Sequence, residues 1–265
     1  MFFVIWNLVF IIWFLVSCHL EFLDTMEVKI FDNYNAMSSA TADIIIDCVK
    51  NKPNALLCFA TGNTPVLTYK LLAEKVKQQQ IDLSKCFCIG LDEWLGVPPQ
   101  VKGSCHYDLN EHVFRPLGIA ESQIHLFDGL STDIASECRK MNELVCEHRG
   151  VDFLLAGIGV NGHIGFNEPG VDPLLEAHDQ LLHPTTLASG QNYFKEITKL
   201  EKGITLGLSQ AMNAKKFLVV ANGKSKADII KKTVEGEVTN EVPASYIQQC
   251  ENGIVIIDRE AASSL

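Results

Sequence analysis

A continuous apolar run that ends in a glycine loop, VDFLLAGIG, occupies residues 151–159. Two similar runs are ALLCFA at residues 55–60 and CFCIGL at residues 86–91. Apolar runs of about four to eight residues that stop at turn residues are typical of strands buried on both faces. Strands of this kind occur in parallel sheets, so the three runs predict the centre of such a sheet.

Segments with helical spacing of apolar residues separate the predicted strands. The predicted helices cover residues 34–50, 64–79, 104–115, 132–148 and 226–235, and further strands cover residues 27–31, 124–127, 204–208, 216–222 and 253–258. Such alternation is typical of a mostly parallel sheet with helices on both faces. Because no Pro-, Gly- or Ser-rich linker divides residues 26–265, we predict an α/β fold, a single-domain, three-layer, Rossmann-like arrangement.

Composition limits the class of function. The 265 residues carry a formal net charge of −10, and an acidic surface argues against nucleic acid as a partner. The eight histidines are scattered and the nine cysteines form no Cys-x-x-Cys motif, so no metal site is predicted. Cysteines within apolar runs, such as Cys58 and Cys88, suit free thiols in a reducing compartment, which predicts a cytoplasmic protein.

Residues 1–25 form a hydrophobic segment that differs from the rest of the chain, since its first charged residue is Glu21. A secretory signal needs Lys or Arg ahead of its apolar stretch, and this segment has none. Its residues 15–18 nevertheless fit a lipoprotein cleavage box, so a signal or membrane anchor is one interpretation. The other is an upstream extension, with translation starting at Met26. We therefore expect the functional domain to be residues 26–265, with no membrane partner of its own.

Three loops follow the predicted buried strands, and ligand sites in such sheets lie at the carboxyl ends of strands. The first loop is the turn Thr61-Gly62-Asn63-Thr64-Pro65. Its glycine allows a ligand to approach the backbone, and the N–H groups of a helix start favour an anion. The turn predicts a phosphate site. The alternative is an ordinary turn, with Thr64 as the helix N-cap and Pro65 at the first helical position.

The second loop begins with Asp92-Glu93 at the end of an apolar strand. Burying an acidic pair in the core is costly, so we expect the pair to face a cleft. One carboxylate suits a general base acting on a substrate carbon, and the other suits a cap on the following segment. The alternative is a pair of solvated loop carboxylates.

The third loop is GIGVNGHIGFNEPG, residues 157–170. Its start matches Gly-x-Gly-x-x-Gly, but it lies far from the first strand and Pro169 argues against a long helix, so a dinucleotide site is not predicted. If the loop curls back, Glu168 reaches His163, and such a pair can shuttle protons near neutral pH. The alternative is a core histidine whose ring bonds backbone groups.

Together the three loops resemble those of the glucosamine-6-phosphate deaminase family. Residues 157–170 look like the signature of that family, and ATGNTP and LDEWLGV fall where it carries its phosphate loop and its catalytic acid. The likeness runs from Glu27 to Asp258. The two shorter motifs are shared with the 6-phosphogluconolactonases of the same superfamily.

The resemblance implies a reaction on a small-molecule partner, an amino-sugar 6-phosphate. The ring is opened, the aldose becomes a ketose and ammonia is removed by hydrolysis, without a redox cofactor or a metal. Asp92 corresponds to the base that moves a proton between C2 and C1. His163 corresponds to the acid/base that opens the ring, held by Glu168. Phosphate binding is implied for Thr61, Gly62, Asn63, Thr64 and Lys226.

Three departures from the family pattern matter. Many members carry an acid where this chain has Asn161, which can orient His163 by a hydrogen bond but cannot stabilise its cation by charge. The family often has an arginine around residues 191–194, where Asn192 is the best match, so a bidentate phosphate clamp is missing. Allosteric members carry basic residues after the signature, whereas residues 171–180 contain none.

These departures indicate a divergent branch, in which galactosamine 6-phosphate is a credible substrate beside its C4 epimer, glucosamine 6-phosphate. A sugar-phosphate lactone hydrolase and a non-catalytic sugar-phosphate sensor are the alternative functions. The sequence leaves the choice of epimer and the formation of a homo-oligomer open.

Overall fold

The computed structural model describes residues 26–265, and residues 1–25 lie outside the described part of the chain. Its main feature is a seven-stranded sheet in which all neighbouring strands are parallel. In spatial order the strands are β1 (Glu27–Phe31), β10 (Gly253–Asp258), β9 (Phe217–Ala221), β6 (Phe153–Gly157), β2 (Leu56–Phe59), β3 (Phe87–Gly90) and β5 (Ile124–His125).

Helices follow most of these strands. They are α1 (Tyr34–Asn51), α2 (Val66–Gln79), α3 (Cys105–Leu109), α4 (Arg115–Leu117), α5 (Ile134–Glu147), α6 (Pro184–Gly190), α7 (Leu208–Met212) and α8 (Ala227–Glu235). A π-helical turn at Asn110–Phe114 joins α3 to α4. No helix within residues 26–265 combines the length and the apolar character that a membrane crossing requires.

The sheet separates two apolar clusters, one on each face. The central strand β2 contributes to both, and it is buried at every position. Leu57 and Phe59 belong to the cluster that α1, α2 and α3 cover. Leu56 and Cys58 belong to the cluster that α5, α7 and α8 cover. Successive side chains of a strand point to opposite faces, so a strand buried on both faces has apolar residues throughout. The predicted three-layer α/β fold is confirmed.

A second, antiparallel sheet lies beside the end of β3. It consists of β4 (Asp92–Trp94), β8 (Lys202–Thr205) and β7 (His178–Leu181), with β8 in the middle. The sequence interpretation of this region was wrong in two respects. Residues 92–94 form a strand rather than a loop, and the strand placed at residues 204–208 ends at Thr205 and pairs outside the main sheet.

The first residues of α2 also differ from the prediction. The helix begins at Val66, Pro65 occupies the N-cap position, and no side chain caps the helix. Thr64 is therefore not an N-cap residue. It lies one position before the N-cap, in the turn between β2 and α2, and it lines the cleft described below.

A third apolar cluster joins the small sheet to the main body. It contains Trp94 from β4, Phe166 from the glycine-rich loop and Phe194 from the segment after α6. The Trp94 ring centroid lies 4.6 Å from that of Phe166 and 6.1 Å from that of Phe194. Tilted and edge-to-face packing of aromatic rings stabilises a contact even where only a few residues take part. The cluster therefore fixes α6 and β7 over the carboxyl ends of β2, β3 and β6.

Candidate active site

A cleft of about 240 Å³ lies at the carboxyl edge of the main sheet, below α6. It is lined by the turns that follow β2, β3 and β6 and by the start of α8. The sequence-predicted residues that line it are Thr61, Gly62, Asn63, Thr64, Asp92, His163 and Lys226. The two others, Asn161 and Glu168, lie behind His163 and contact its backbone and ring.

The turn at residues 61–65 forms one end of the cleft. Gly62 has a φ of +103°, a conformation that residues with a Cβ rarely adopt. The hydroxyl of Tyr34 donates to the carbonyl oxygens of Asn63 and Thr64, at 3.2 and 2.8 Å. Within the described chain, the backbone N–H groups of residues 61–64 donate to no protein acceptor. Free N–H groups next to a helix start are suited to binding an anion.

Lys226 brings a positive charge to the same cleft from the turn before α8. Its Nζ donates to the carbonyl oxygen of Ile158 at 2.7 Å, which holds the side chain across the glycine-rich loop. Burial lowers the pKa of Lys226. Among residues 26–265 it is the only lysine or arginine that lines the cleft. An anionic ligand therefore meets a single cationic side chain here.

Asp92 lies at the junction of β3 and β4 and faces the cleft. Burial raises the pKa of Asp92 to about 6, although a hydrogen bond from the Cys105 thiol and the charge of His163 oppose the rise. The Cys105 Sγ lies 3.5 Å from Asp92 Oδ1. A carboxyl group whose pKa lies near the working pH is well suited to accept and return a proton.

The adjacent Glu93 has a different role. Its carboxylate is 3% exposed and accepts hydrogen bonds from the backbone N–H groups of Trp94, Cys105 and His106, at 2.8, 3.0 and 2.7 Å. It thereby fixes the start of α3, as the sequence predicted for one member of the acidic pair. Only Asp92 of the two lines the cleft.

The ring of His163 lies against the backbone of Gly159. A Cβ atom at Gly159 would come within 2.3 Å of the His163 ring, so any other residue there would displace the ring. The His163 Nδ1 lies 3.0 Å from the Thr186 hydroxyl and 3.5 Å from Glu168 Oε2. One ring nitrogen is therefore held by the protein, and the ring itself lines the cleft.

Glu168 is 2% exposed and receives several hydrogen bonds. Asn161 Nδ2 donates to its Oε2 at 2.9 Å, and the backbone N–H of His183 donates to its Oε1 at 3.2 Å. Burial alone would raise the pKa of Glu168, but hydrogen bonds from His163, Thr186 and Asn161 outweigh it and lower that pKa. Glu168 is thus an ionised carboxylate behind the histidine.

Asn161 hydrogen-bonds His163, as the sequence analysis expected, and the bond is made to the backbone of the histidine. Its Oδ1 accepts from the backbone N–H of His163 at 3.3 Å, and its Nδ2 binds Glu168. The side chain therefore holds the loop and the carboxylate rather than the imidazole. An amide can do both because it carries a donor and an acceptor, whereas an ionised carboxylate only accepts.

Sequence reasoning missed five polar residues of the cleft: Cys105, Thr185, Thr186, Ser189 and Tyr193. Asn192, the best match to the family arginine, is exposed and does not line the cleft, whereas the next residue, Tyr193, does. A Cβ at Gly62 would lie 3.4 Å from the Tyr193 hydroxyl, so that hydroxyl faces the turn at residues 61–65. Since β7 and α6 are short and follow no apolar run, no signal in the sequence marks Thr186 or Tyr193.

No cluster of three or more His, Cys, Asp or Glu side chains within residues 26–265 is arranged to hold a metal ion. The titratable side chains that the cleft brings together are the buried carboxyl of Asp92, His163 with the Glu168 carboxylate behind it, and Lys226.

Comparison with known proteins gives relatives over most of the chain. A family model described as glucosamine-6-phosphate isomerases/6-phosphogluconolactonase matches residues 32–256. A glucosamine-6-phosphate deaminase of a Thermoanaerobacter species is 39% identical over 239 residues, which are 90% of this chain and 94% of the relative. A deaminase of the same description from Lachnoclostridium phytofermentans is 40% identical over 226 residues, with coverage of 84% and 95%.

Solved structures give the same grouping. A monomeric glucosamine-6-phosphate deaminase, 34% identical, superposes with a TM-score of 0.88 over 91% of this chain and 100% of its own. The 6-phosphogluconolactonase of Trypanosoma brucei superposes with a TM-score of 0.72 over 91% of this chain and 98% of its own, but it is 16% identical and shows the fold alone. The chain therefore belongs to the family of glucosamine-6-phosphate isomerases and 6-phosphogluconolactonases.

Proposed function

We propose that the chain is an amino-sugar-6-phosphate deaminase that converts glucosamine 6-phosphate, or its galactosamine epimer, into a ketohexose 6-phosphate and ammonia. The observation that carries the proposal is that Asp92 and His163 face one cleft, with Glu168 bonded behind the histidine. The relatives that are 39–40% identical over most of the chain are described as glucosamine-6-phosphate deaminases, which supports the same activity.

The phosphate group is assigned to the turn at residues 61–64 and to Lys226. The turn offers backbone N–H groups and two threonine hydroxyls, and Lys226 offers the positive charge. Hydrogen bonds to a charged group are stronger than those between neutral groups. With the phosphate held at this end, the sugar extends across the cleft toward Asp92 and His163.

His163 is assigned to ring opening. It transfers a proton from the C1 hydroxyl to the ring oxygen, so that the C1–O5 bond breaks and an open-chain aldehyde forms. Imidazole suits this exchange because it gains and loses protons near neutral pH. Glu168 stabilises the protonated ring through its negative charge, at 3.5 Å from Nδ1.

Asp92 is assigned to the proton transfer between C2 and C1. Its carboxylate removes the C2 proton while O1 of the aldehyde takes a proton from the substrate's ammonium group, which gives an enolamine. Asp92 then returns its proton to C1, which leaves a protonated imine at C2. Water then adds to C2, ammonia leaves with the C2–N electron pair and a proton, and a C2 ketone remains. The reaction consumes one water and needs no oxidant or reductant.

A lactone hydrolase is the second candidate, because 6-phosphogluconolactonases share this fold at 16–19% identity. The deaminase is favoured because the buried Glu168 beside His163 belongs to residues 157–170, which resemble the deaminase signature, whereas the motifs shared with the 6-phosphogluconolactonases are the two shorter ones. A non-catalytic sensor would need the turn at residues 61–64 and Lys226, but it gives no reason for Asp92 and His163 to face the same cleft with Glu168 behind the histidine.

The test is release of ammonia from each epimer, coupled to detection of fructose 6-phosphate or tagatose 6-phosphate. We expect ammonia and ketose in equal amounts from at least one epimer. Hydrolysis of 6-phosphogluconolactone without ammonia release would assign the chain to the lactonases. Binding of both sugar phosphates without any product would assign it to the sensors. The ratio of kcat/KM for the two epimers identifies the substrate.

We further propose that the enzyme acts in the cytoplasm. All the cysteines at described positions are free thiols, and most of them are buried. Free thiols in this number suit a reducing compartment.

The assembly state is a choice between a monomer, as in the solved deaminase relative, and a homo-oligomer. Sedimentation of a chain that begins at Met26 tests it.

A further inference from the structure

The shortest polar contact of the His163 ring is with Thr186. The Thr186 hydroxyl lies 3.0 Å from His163 Nδ1, whereas the nearest Glu168 oxygen lies 3.5 Å from it. N–H···O hydrogen bonds have their mode near 2.9–3.0 Å and weaken beyond about 3.2 Å. The carboxylate assigned to hold the histidine is therefore its more distant partner.

We propose that Thr186 is a positioning residue for His163, with its hydroxyl accepting a hydrogen bond from Nδ1–H and donating one to the Glu168 carboxylate. This inference rests on the proposed function, because it specifies how the ring-opening histidine is held. A threonine hydroxyl can fill both roles, since it has one donor and two acceptor sites. Glu168, being ionised, can only accept. The direction of the two bonds is therefore set by the carboxylate.

This direction determines the tautomer of His163. If Nδ1 carries the proton that Thr186 accepts, Nε2 of the neutral ring is left with a lone pair. Within the described chain Nε2 has no hydrogen-bond partner, and the ring lines the cleft. The neutral ring can then take a proton from the substrate through Nε2. The wrong tautomer would present an N–H group instead and could not act as the base.

The position of Thr186 is itself well defined. The residue is 3% exposed and lies in the first turn of α6. The backbone N–H of His183, just before that helix, donates to Glu168 Oε1, and the His183 side chain accepts from the N–H of Thr185 at 3.2 Å. The start of α6 is therefore bonded to Glu168, the same carboxylate whose pKa is lowered in part by a hydrogen bond from Thr186.

The experiment compares Thr186→Val with Thr186→Ser. Valine keeps the shape but removes the hydroxyl, and we expect it to lower kcat about 10- to 100-fold with little change in KM, as for loss of one hydrogen bond to a charged group. Serine keeps the hydroxyl, and we expect it to retain kcat within about threefold. Thr41→Val is the matched control, because it removes another buried hydroxyl, one that bonds only the Met37 carbonyl of its own helix.

A spectroscopic readout separates positioning from a general structural effect. In protein labelled with ¹⁵N-histidine, with the His163 signals assigned from His163→Gln, we expect neutral His163 to carry its proton on Nδ1. In Thr186→Val we expect the proportion of the Nε2–H form to rise, with no change in Thr41→Val. If Thr186→Val does not fold, Thr186→Ala gives the same readouts.

The results also distinguish the inference from the proposed function. Unchanged kcat and an unchanged tautomer in Thr186→Val would overturn the inference, and so would an Nε2–H tautomer in the unsubstituted protein. If the unsubstituted protein releases no ammonia from either epimer, the proposed function fails. The tautomer measurement still decides the role of Thr186 in that case, because it requires no turnover.

Discussion

The floor and the roof of the cleft are built in different ways. The floor consists of the turns after β2, β3 and β6 with the start of α8, and it carries the charged groups Asp92 and Lys226. The roof consists of α6 and the residues that follow it to Tyr193, and it carries hydroxyl groups. The difference indicates that the floor supplies the side chains that transfer protons and carry charge, while the roof orients those side chains.

Asp92→Asn is the strongest test of the floor. We expect kcat to fall about 10²- to 10⁴-fold, because an amide cannot accept the C2 proton, while KM changes little. Ammonia release under saturating substrate measures the loss. Asp82→Asn, which changes an exposed carboxylate outside the cleft, is the control and should leave the rate unaltered. An Asp92→Asn enzyme that retains a third of the rate would remove Asp92 from the role of base.

Lys226→Ala tests the other charged group of the floor. We expect KM to rise about 10- to 100-fold with a smaller change in kcat, because phosphate binding is largely uniform between ground and transition states. Since no second cation lines the cleft within residues 26–265, no neighbour compensates. Lys224→Ala removes an exposed lysine from the same turn, and its KM should equal that of the unsubstituted enzyme. A KM unchanged in Lys226→Ala would locate the phosphate elsewhere.

The floor was predictable from the sequence because its groups follow buried strands. ALLCFA and CFCIGL are apolar at every position, so their ends, and with them Thr61 and Asp92, can be located without a structure. The contact between Glu168 and His163 was also predicted, on the condition that the loop curls back, because Glu168 follows His163 by five positions. These inferences depend only on local patterns and on the rule that ligand sites lie at strand ends.

The roof was not predictable in the same way. Residues 178–181 read HDQL, which has no apolar alternation, and they become a strand because β8 pairs with them. Residues 92–94 likewise become a strand through pairing with residues 203–205, more than a hundred positions away. Pairing at such a distance leaves no local signal. Thr186 and Tyr193 depend on this arrangement, so their place in the cleft could not be inferred.

The pH dependence of kcat/KM reports the pKa of Asp92, the proposed base in the floor, and so the influence of the groups around it. Burial raises the pKa of Asp92 to about 6, and a general base works only when deprotonated, so kcat/KM should fall as the pH drops through about 6. The groups whose charges interact with Asp92 are His163, Cys105, Glu93, Tyr193, Cys58 and Tyr69.

Cys105→Ala should move the fall of kcat/KM at low pH, the acidic limb of the profile, to higher pH. The Cys105 thiol hydrogen-bonds the Asp92 carboxylate and so favours its ionised form, and loss of the bond raises the pKa further. Cys105→Ser keeps a donor at the same place and should leave the limb near its original position. A limb that moves to lower pH in Cys105→Ala, or that does not move, would show that the thiol does not influence the base.

The smallest expected effect concerns regulation at the edge of the roof. We expect rate against substrate to be hyperbolic and N-acetylglucosamine 6-phosphate to leave the half-saturation point unchanged. An anion site needs cations or a helix start aimed at the phosphate, whereas residues 171–180 contribute Asp172, Glu176 and Asp179 and no Lys or Arg. The neighbouring Lys202 is already paired with Asp179 at 2.9 Å.

An effector that activates must bind two states of the enzyme with different affinities, and a surface that repels phosphate offers no such difference. The measurement is a set of rate curves on the preferred epimer at increasing effector concentration. Asp179→Ala, which frees Lys202, is the informative comparison, because it gives this edge an unpaired cation without changing the floor. If the unsubstituted enzyme already shows a sigmoidal curve that the effector makes hyperbolic, cations from a second subunit must complete the site. The roof would then transmit regulation as well as orient the histidine.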